Sequence, residues 1–294
     1  MNRKNKASIL ALAAGMLLLT VLVTNGVPFI AGAQSKPTVA VTIAPQAGFV
    51  REVAGDLVNI VTMMPPGANH ETFSPPPQDM EKLSTAALYL AMGLPPERAG
   101  LLPKLAEMNR DMRIVDVQME VARIYPARYF APNDQDPHIW LSPKRAIEMV
   151  RLTAQELSRI DPPNSGTYAA NAERYIARIQ AADQEIQASF KTLWNRMFIV
   201  YHPAFGYFAE DYNLTMVALE EEGKEADPRR FREVIDMAKE KGIKVIFYQE
   251  DIDGRQSRTF AEELGGQAEK VSPMATDYVE NLLRMARTFA MVLK

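Results

Sequence analysis

The chain of 294 residues contains three histidines: His70, His138 and His202. They stand 68 and 64 residues apart, each in a segment rich in proline and in small or aromatic residues. Three imidazoles drawn from distant loops are what a metal site assembled between separate structural units needs. One histidine between prolines carries no such meaning alone, so the elements that place the three must decide. There is no cysteine, which excludes thiolate zinc sites, iron–sulfur clusters, disulfides and cysteine nucleophiles. A soft-metal site here must therefore be built from histidine and carboxylate. The 16 methionines read as core filler rather than as a copper site. A net charge of −3 provides no basic field for nucleic acid.

In the first half, the β-branched segment Pro37–Thr42 predicts a strand and Pro45–Gly55 a helix. Val58–Met64 predicts a buried strand that runs into the breaker-rich turn Pro65-Pro66-Gly67-Ala68-Asn69-His70. A helix over Gln78–Thr85, a strand over Ala86–Met92, a helix over Leu101–Asn109 and a strand over Arg113–Val117 follow. Strands alternating with helices imply a parallel sheet, whose ligands sit beyond the carboxyl ends of its strands. His70 takes that position. So does Asp136-Pro137-His138-Ile139-Trp140-Leu141-Ser142-Pro143, which follows the fourth strand and a loop of about 18 residues. Trp140 reads as a wall of the site or a core anchor. Ser142-Pro143 caps a helix over Lys144–Ile160.

After the break at Asp161–Gly166, apolar residues recur at helical spacing from Thr167 to Trp194: Tyr168, Ala172, Tyr175, Ile176, Ile179, Ala182, Ile186 and Phe190. The spacing predicts one amphipathic helix about 40 Å long at 1.5 Å per residue. The strand Arg196–Tyr201 then ends at His202-Pro203-Ala204-Phe205-Gly206-Tyr207-Phe208. Strands at Thr215–Ala218, Lys244–Tyr248 and Ala268–Val271 alternate with helices at Asp227–Lys241, Arg255–Gly265 and Asp277–Leu293. The expected fold is α/β: two lobes, each a small parallel sheet flanked by helices, joined by one long rigid helix. The boundaries read as residues 34–163, a linking helix at 164–194, and 195–294.

Ahead of the lobes, Arg3, Lys4 and Lys6 precede an apolar run over Ala7–Thr24 and an Ala31-Gly32-Ala33 cleavage pattern. Residues 1–33 therefore read as a secretory signal peptide, or an N-terminal anchor if uncleaved. The mature chain is expected in the periplasm or at the outer cell surface, without a lipid anchor on cysteine.

The motifs resemble those of the zinc- and manganese-specific substrate-binding proteins of ABC importers, over Pro37–Lys294. Pro66–Pro75, containing His70, looks like that family's first-ligand segment. Asp136–Pro143 is similar to its second and Tyr201–Phe208 to its third. The resemblance implies a monomeric metal receptor that feeds a membrane permease, not an enzyme, with His70, His138 and His202 as metal ligands. The family's usual fourth ligand is an aspartate near the C-terminus, and Ser272 stands in its place here. Glu250, after the Lys244–Tyr248 strand, is the candidate replacement, with water or another carboxylate as the alternative; Glu71, Asp136 and Glu210 are also near the site segments in sequence. Gln249 is expected only behind the ligands. No histidine lies in 120–134, where many zinc members carry a histidine-rich loop.

Imidazole ligands favour zinc over manganese, which prefers carboxylate oxygens. The expected cargo is Zn²⁺, with Mn²⁺ the alternative. A zinc hydrolase with three histidines is the rival from another class, but no HExxH or nucleophile-elbow pattern is present. The run Glu220-Glu221-Glu222 reads as a solvated face.

Overall fold

Strand β1 (Thr38–Val41) is followed by helix α1 (Ala44–Ala54), β2 (Asn59–Thr62), α2 (Pro77–Ser84) and β3 (Leu88–Ala91). Next come α3 (Leu102–Met108) and β4 (Arg113–Asp116). These four strands form one parallel sheet in the order β2-β1-β3-β4. All four residues of β3 are buried, as are the last three of β1, which is why these strands read as continuous apolar runs. The computed structural model describes residues 35–64, 76–94, 97–220, 226–249 and 254–294. The leader reading at 1–33, His70 with Glu71, and Glu250 lie outside the described residues.

The loop expected after β4 is not one. It contains helix α4 (Val117–Ala122) and an antiparallel hairpin of β5 (Tyr129–Ala131) and β6 (Asp134–Gln135). Both are too short to show a period in sequence. Asp116 caps α4 by accepting from the Met119 amide at 2.9 Å. Asn133, at φ 68°, makes the left-handed turn of the hairpin, a conformation asparagine tolerates.

Helix α5 (Pro143–Ile160) begins at the expected cap, with Ser142 Oγ accepting from the Arg145 amide. The long helix α6 spans Ser165–Phe190, 26 residues and about 39 Å. The eight apolar residues named from its spacing are the ones it buries. It stops four residues short of Trp194, and the Arg196 guanidinium donates to the Phe190 carbonyl at 2.9 Å, satisfying an acceptor at the helix end. Trp194 itself is 93 % exposed.

The second half repeats the first: β7 (Met197–Val200), α7 (Gly206–Asp211), β8 (Thr215–Ala218), α8 (Pro228–Glu240), β9 (Val245–Gln249), α9 (Arg255–Leu264), β10 (Gln267–Val271) and α10 (Tyr278–Val292). Its parallel sheet runs β8-β7-β9-β10. That is the order of the first sheet, second-first-third-fourth, so each sheet reverses direction between its first and third strands. Ligand sites in open parallel sheets form at such switch points.

Helix α6 lies between the sheets and packs on α1, α5 and α10. One continuous apolar core runs from Val39 and Leu90 through Leu157 and Ile179 to Phe198, Phe247 and Phe289. Opening the lobes as separate bodies would expose part of that core, so the packing opposes a wide hinge motion.

Candidate metal centre

His202 lies two residues beyond β7, and the register of the second sheet decides what stands beside it. Strands β7 and β8 pair Met197 with Thr215 through Val200 with Ala218, a constant offset of 18 residues. The pairing continues past both strand ends, where the Leu219 amide donates to Val200 O and the Glu220 amide to Tyr201 O. His202 and Glu220 therefore lie side by side, and His202 Nδ1 is 2.8 Å from Glu220 Oε2. Both are buried, at 3 % and 8 % exposure. The expectation of a solvated Glu220-Glu221-Glu222 face fails at Glu220. The signal was present in sequence, as an acidic residue just beyond a strand that pairs with the histidine's own strand. Reading it required the register. Glu221 and Glu222 lie outside the described residues.

His138 is held in the same manner from the other lobe. It precedes the short turn Ile139–Leu141 that leads into α5. Asp136 Oδ1 accepts from the His138 amide at 3.0 Å and contacts its Nδ1 at 2.8 Å. Asp136 is itself fixed through its carbonyl, which accepts from Gln118 Nε2 at 3.0 Å and from the Tyr207 hydroxyl at 3.1 Å. That tyrosine, on α7 of the second lobe, also accepts from the Arg128 amide at 2.9 Å. Burial pushes its own phenol up to about 12.

Ionised carboxylates only accept hydrogen bonds, so each histidine Nδ1 must carry a hydrogen and donate it. A neutral imidazole donating from Nδ1 has its lone pair on Nε2. The two Nε2 atoms face one another at 3.2 Å. Two lone pairs at that separation repel unless a proton or a cation lies between them. Two bonds of about 2.05 Å at a tetrahedral angle separate their nitrogens by about 3.3 Å, the spacing a zinc ion imposes. A six-coordinate ion with longer bonds and a right angle gives a similar spacing, so ligand chemistry rather than distance distinguishes the metals. Among the described residues, no group of three His, Asp or Glu side chains forms a complete metal site.

Two further residues frame the pair. Trp140 is 1 % exposed, with its ring centroid 5.3 Å from that of His138. Its indole N–H donates to Pro273 O at 3.0 Å, which ties the Ser272-Pro273 loop to the His138 segment. It is therefore both wall and anchor. Gln249, the last residue of β9, is 2 % exposed, and its amide nitrogen has no hydrogen-bond partner among the described residues. Because β7 and β9 pair Val200 with Phe247, Gln249 stands level with His202 at the switch point of the sheet.

The lobes meet beside this centre through ions. Asp211 on α7 takes the Ser142 hydroxyl, Lys144 Nζ at 2.5 Å and Arg145 Nη1 at 3.5 Å. Arg145 also covers the Tyr207 ring, 4.3 Å from its centroid. Burial pushes the Asp211 carboxyl above its usual range, although Lys144 and Ser142 oppose the shift.

The family model described as "ZnuA: Zinc-uptake complex component A periplasmic" matches residues 39–292. The chain belongs to this ZnuA family. A crystal structure of ZnuA superposes with a TM-score of 0.83 at 32 % identity, covering 88 % of this chain and 99 % of that one. The zinc-binding protein AdcA of Streptococcus pyogenes serotype M1 is 26 % identical over 263 residues, 82 % of this chain and 51 % of AdcA. The chain thus spans about half the length of that relative. A metal ABC transporter substrate-binding lipoprotein of Lactococcus lactis subsp. lactis (strain IL1403) is 25 % identical over 270 residues, 85 % of each chain. Two parallel sheets with a long helix between them are the ZnuA-like two-lobe architecture.

Proposed function

We propose that this protein is an extracytoplasmic receptor that captures zinc and delivers it to the membrane permease of an ABC importer. One observation carries the reading: His138 and His202, from different lobes, aim Nε2 at a common point while buried carboxylates fix both from behind. Burying two carboxylates costs several kcal/mol each unless positive charge compensates them, and a neutral imidazole does not. A divalent cation between the rings supplies that charge. Imidazole donors favour zinc over manganese. The names of the relatives, zinc-binding in one and an ABC substrate-binding lipoprotein in another, agree with this role.

In this reading His138 and His202 are two ligands and His70 the third. Glu250 is the fourth, since it follows Gln249 at the switch point where His202 also lies. Residues 34–163 and 195–294 are the two metal-binding lobes, residues 164–194 link them, and residues 1–33 direct export. Among the described residues, no helix is long and apolar enough to cross a membrane.

The test is titration of metal-free protein and its Glu250→Ala and His70→Ala variants with zinc. Both variants should bind more weakly. Unchanged affinity and coordination spectrum in either removes that residue from the ligand set.

A further inference from the structure

We propose that Arg128 sets how tightly the site holds zinc, by partly neutralising the carboxylate that orients His138. This rests on His138 being a zinc ligand. The Arg128 guanidinium stands over Asp136, its Nε 3.5 Å from Oδ2. Among the described residues neither atom has a hydrogen-bond partner, and both are buried. The contact is therefore a charge contact rather than a hydrogen bond. Asp136 uses its other oxygen, Oδ1, on the amide and ring of His138. Its side chain is fully buried, so little water screens the charge on it.

The two carboxylates behind the site are thereby unequal. Asp136 faces a cation. Among the described residues, the Glu220 carboxylate pairs with the His202 ring and has no Lys or Arg within ion-pair range. A carboxylate raises the donor strength of the imidazole it accepts from, and a neighbouring cation reduces that effect. The position of the arginine is fixed from both lobes. It comes from the segment between α4 and β5 in one lobe, while its backbone amide is tied to the Tyr207 hydroxyl of the other. Its guanidinium lies 5.8 Å from the Tyr207 ring centroid. Gly206 makes the room, since a Cβ there would meet Arg128 Nε at 2.6 Å and Asp136 Oδ2 at 2.8 Å. A receptor that must surrender its metal gains from such a moderating charge. The Arg128 side chain is 37 % exposed, so it can be reached from outside the site it tunes.

If Arg128 served only to prop Asp136, its removal would loosen His138 and weaken zinc binding. A charge-tuning role predicts the opposite sign. The experiment measures zinc affinity by chelator competition, and zinc release by stopped flow, on wild type, Arg128→Gln and Arg128→Lys. Arg128→Gln should bind zinc about three- to tenfold more tightly and release it correspondingly more slowly. Arg128→Lys, which keeps the charge, should stay within about twofold of wild type. Equal or weaker affinity in Arg128→Gln overturns the proposal, as does equal tightening in Arg128→Lys. Arg128→Met, which keeps the aliphatic stem over Tyr207, replaces the glutamine variant if that one fails to fold. Wild type that takes up no zinc would sink the receptor reading itself, and His138→Ala serves as the control for ligand loss.

Discussion

His202 Nδ1 and Glu220 Oε2 lie 2.8 Å apart because β7 and β8 pair at an offset of 18 residues and carry that register past their ends. The contact fixes which nitrogen of His202 is available to a metal. Glu220→Gln can present its amide NH₂ to the ring and favour the wrong tautomer. Zinc affinity should fall 10- to 100-fold, the usual cost of losing such an outer partner. Chelator competition measures the affinity, and nitrogen NMR of the ring reports the tautomer. Wild-type affinity in Glu220→Gln would mean that Glu220 does not set the orientation of His202.

Gly206 is required by close approach rather than by backbone angle. In Gly206→Ala the new methyl must part Arg128 from Asp136. Overpacking of this kind costs about 1–3 kcal/mol. Thermal melting should show that loss. A variant with unchanged melting temperature would contradict the packing described around Asp136.

Tryptophan fluorescence should report the metal. Trp140 is buried beside His138 and hydrogen-bonded to Pro273 O, whereas Trp194 is exposed, four residues beyond the end of α6. Zinc should change the emission of Trp194→Phe as it does that of wild type. The change should disappear in Trp140→Phe. A response that follows Trp194 instead would mean that His138 is remote from the bound ion.

A buried cluster in the first lobe makes a separate prediction about pH. Glu97 takes the Thr42 hydroxyl at 2.6 Å, the Tyr89 hydroxyl, and the Leu94 amide at 2.9 Å. Burial still raises its carboxyl above the ordinary 4.5, with those hydrogen bonds opposing the shift. The folded chain therefore holds this proton more strongly than the unfolded chain. The stabilisation is complete below pH about 4.5 and is lost as pH rises through the folded value. Glu97→Gln should remove this component. Its melting temperature should gain on wild type as pH rises from 4.5 towards neutrality. A constant difference between the two across that range would count against the shift.

Much of this was legible in the sequence. The eight apolar positions of α6 are those it buries, because 3.6-residue spacing on a long helix is a strong signal. His138 and His202 were each placed where a strand or loop hands over to a helix, and the structure brings them together. The hairpin carrying Tyr129–Ala131 was not legible, since strands of three and two residues have no period. Glu220 was missed for another reason. Its role depends on which strands pair and in what register, and neither is written locally. At the end of α6 Arg196 reaches back to Phe190 O, a contact that spacing does not encode.

The central claim is that His138 and His202 hold zinc between the lobes, and competitive titration of metal-free protein with zinc and manganese tests it most directly. Wild type should bind one zinc ion more tightly than manganese. His138→Ala and His202→Ala should each lose zinc affinity by at least about 100-fold while keeping their helical signature. Tighter binding of manganese than zinc, or undiminished zinc binding in the two variants, would contradict the account.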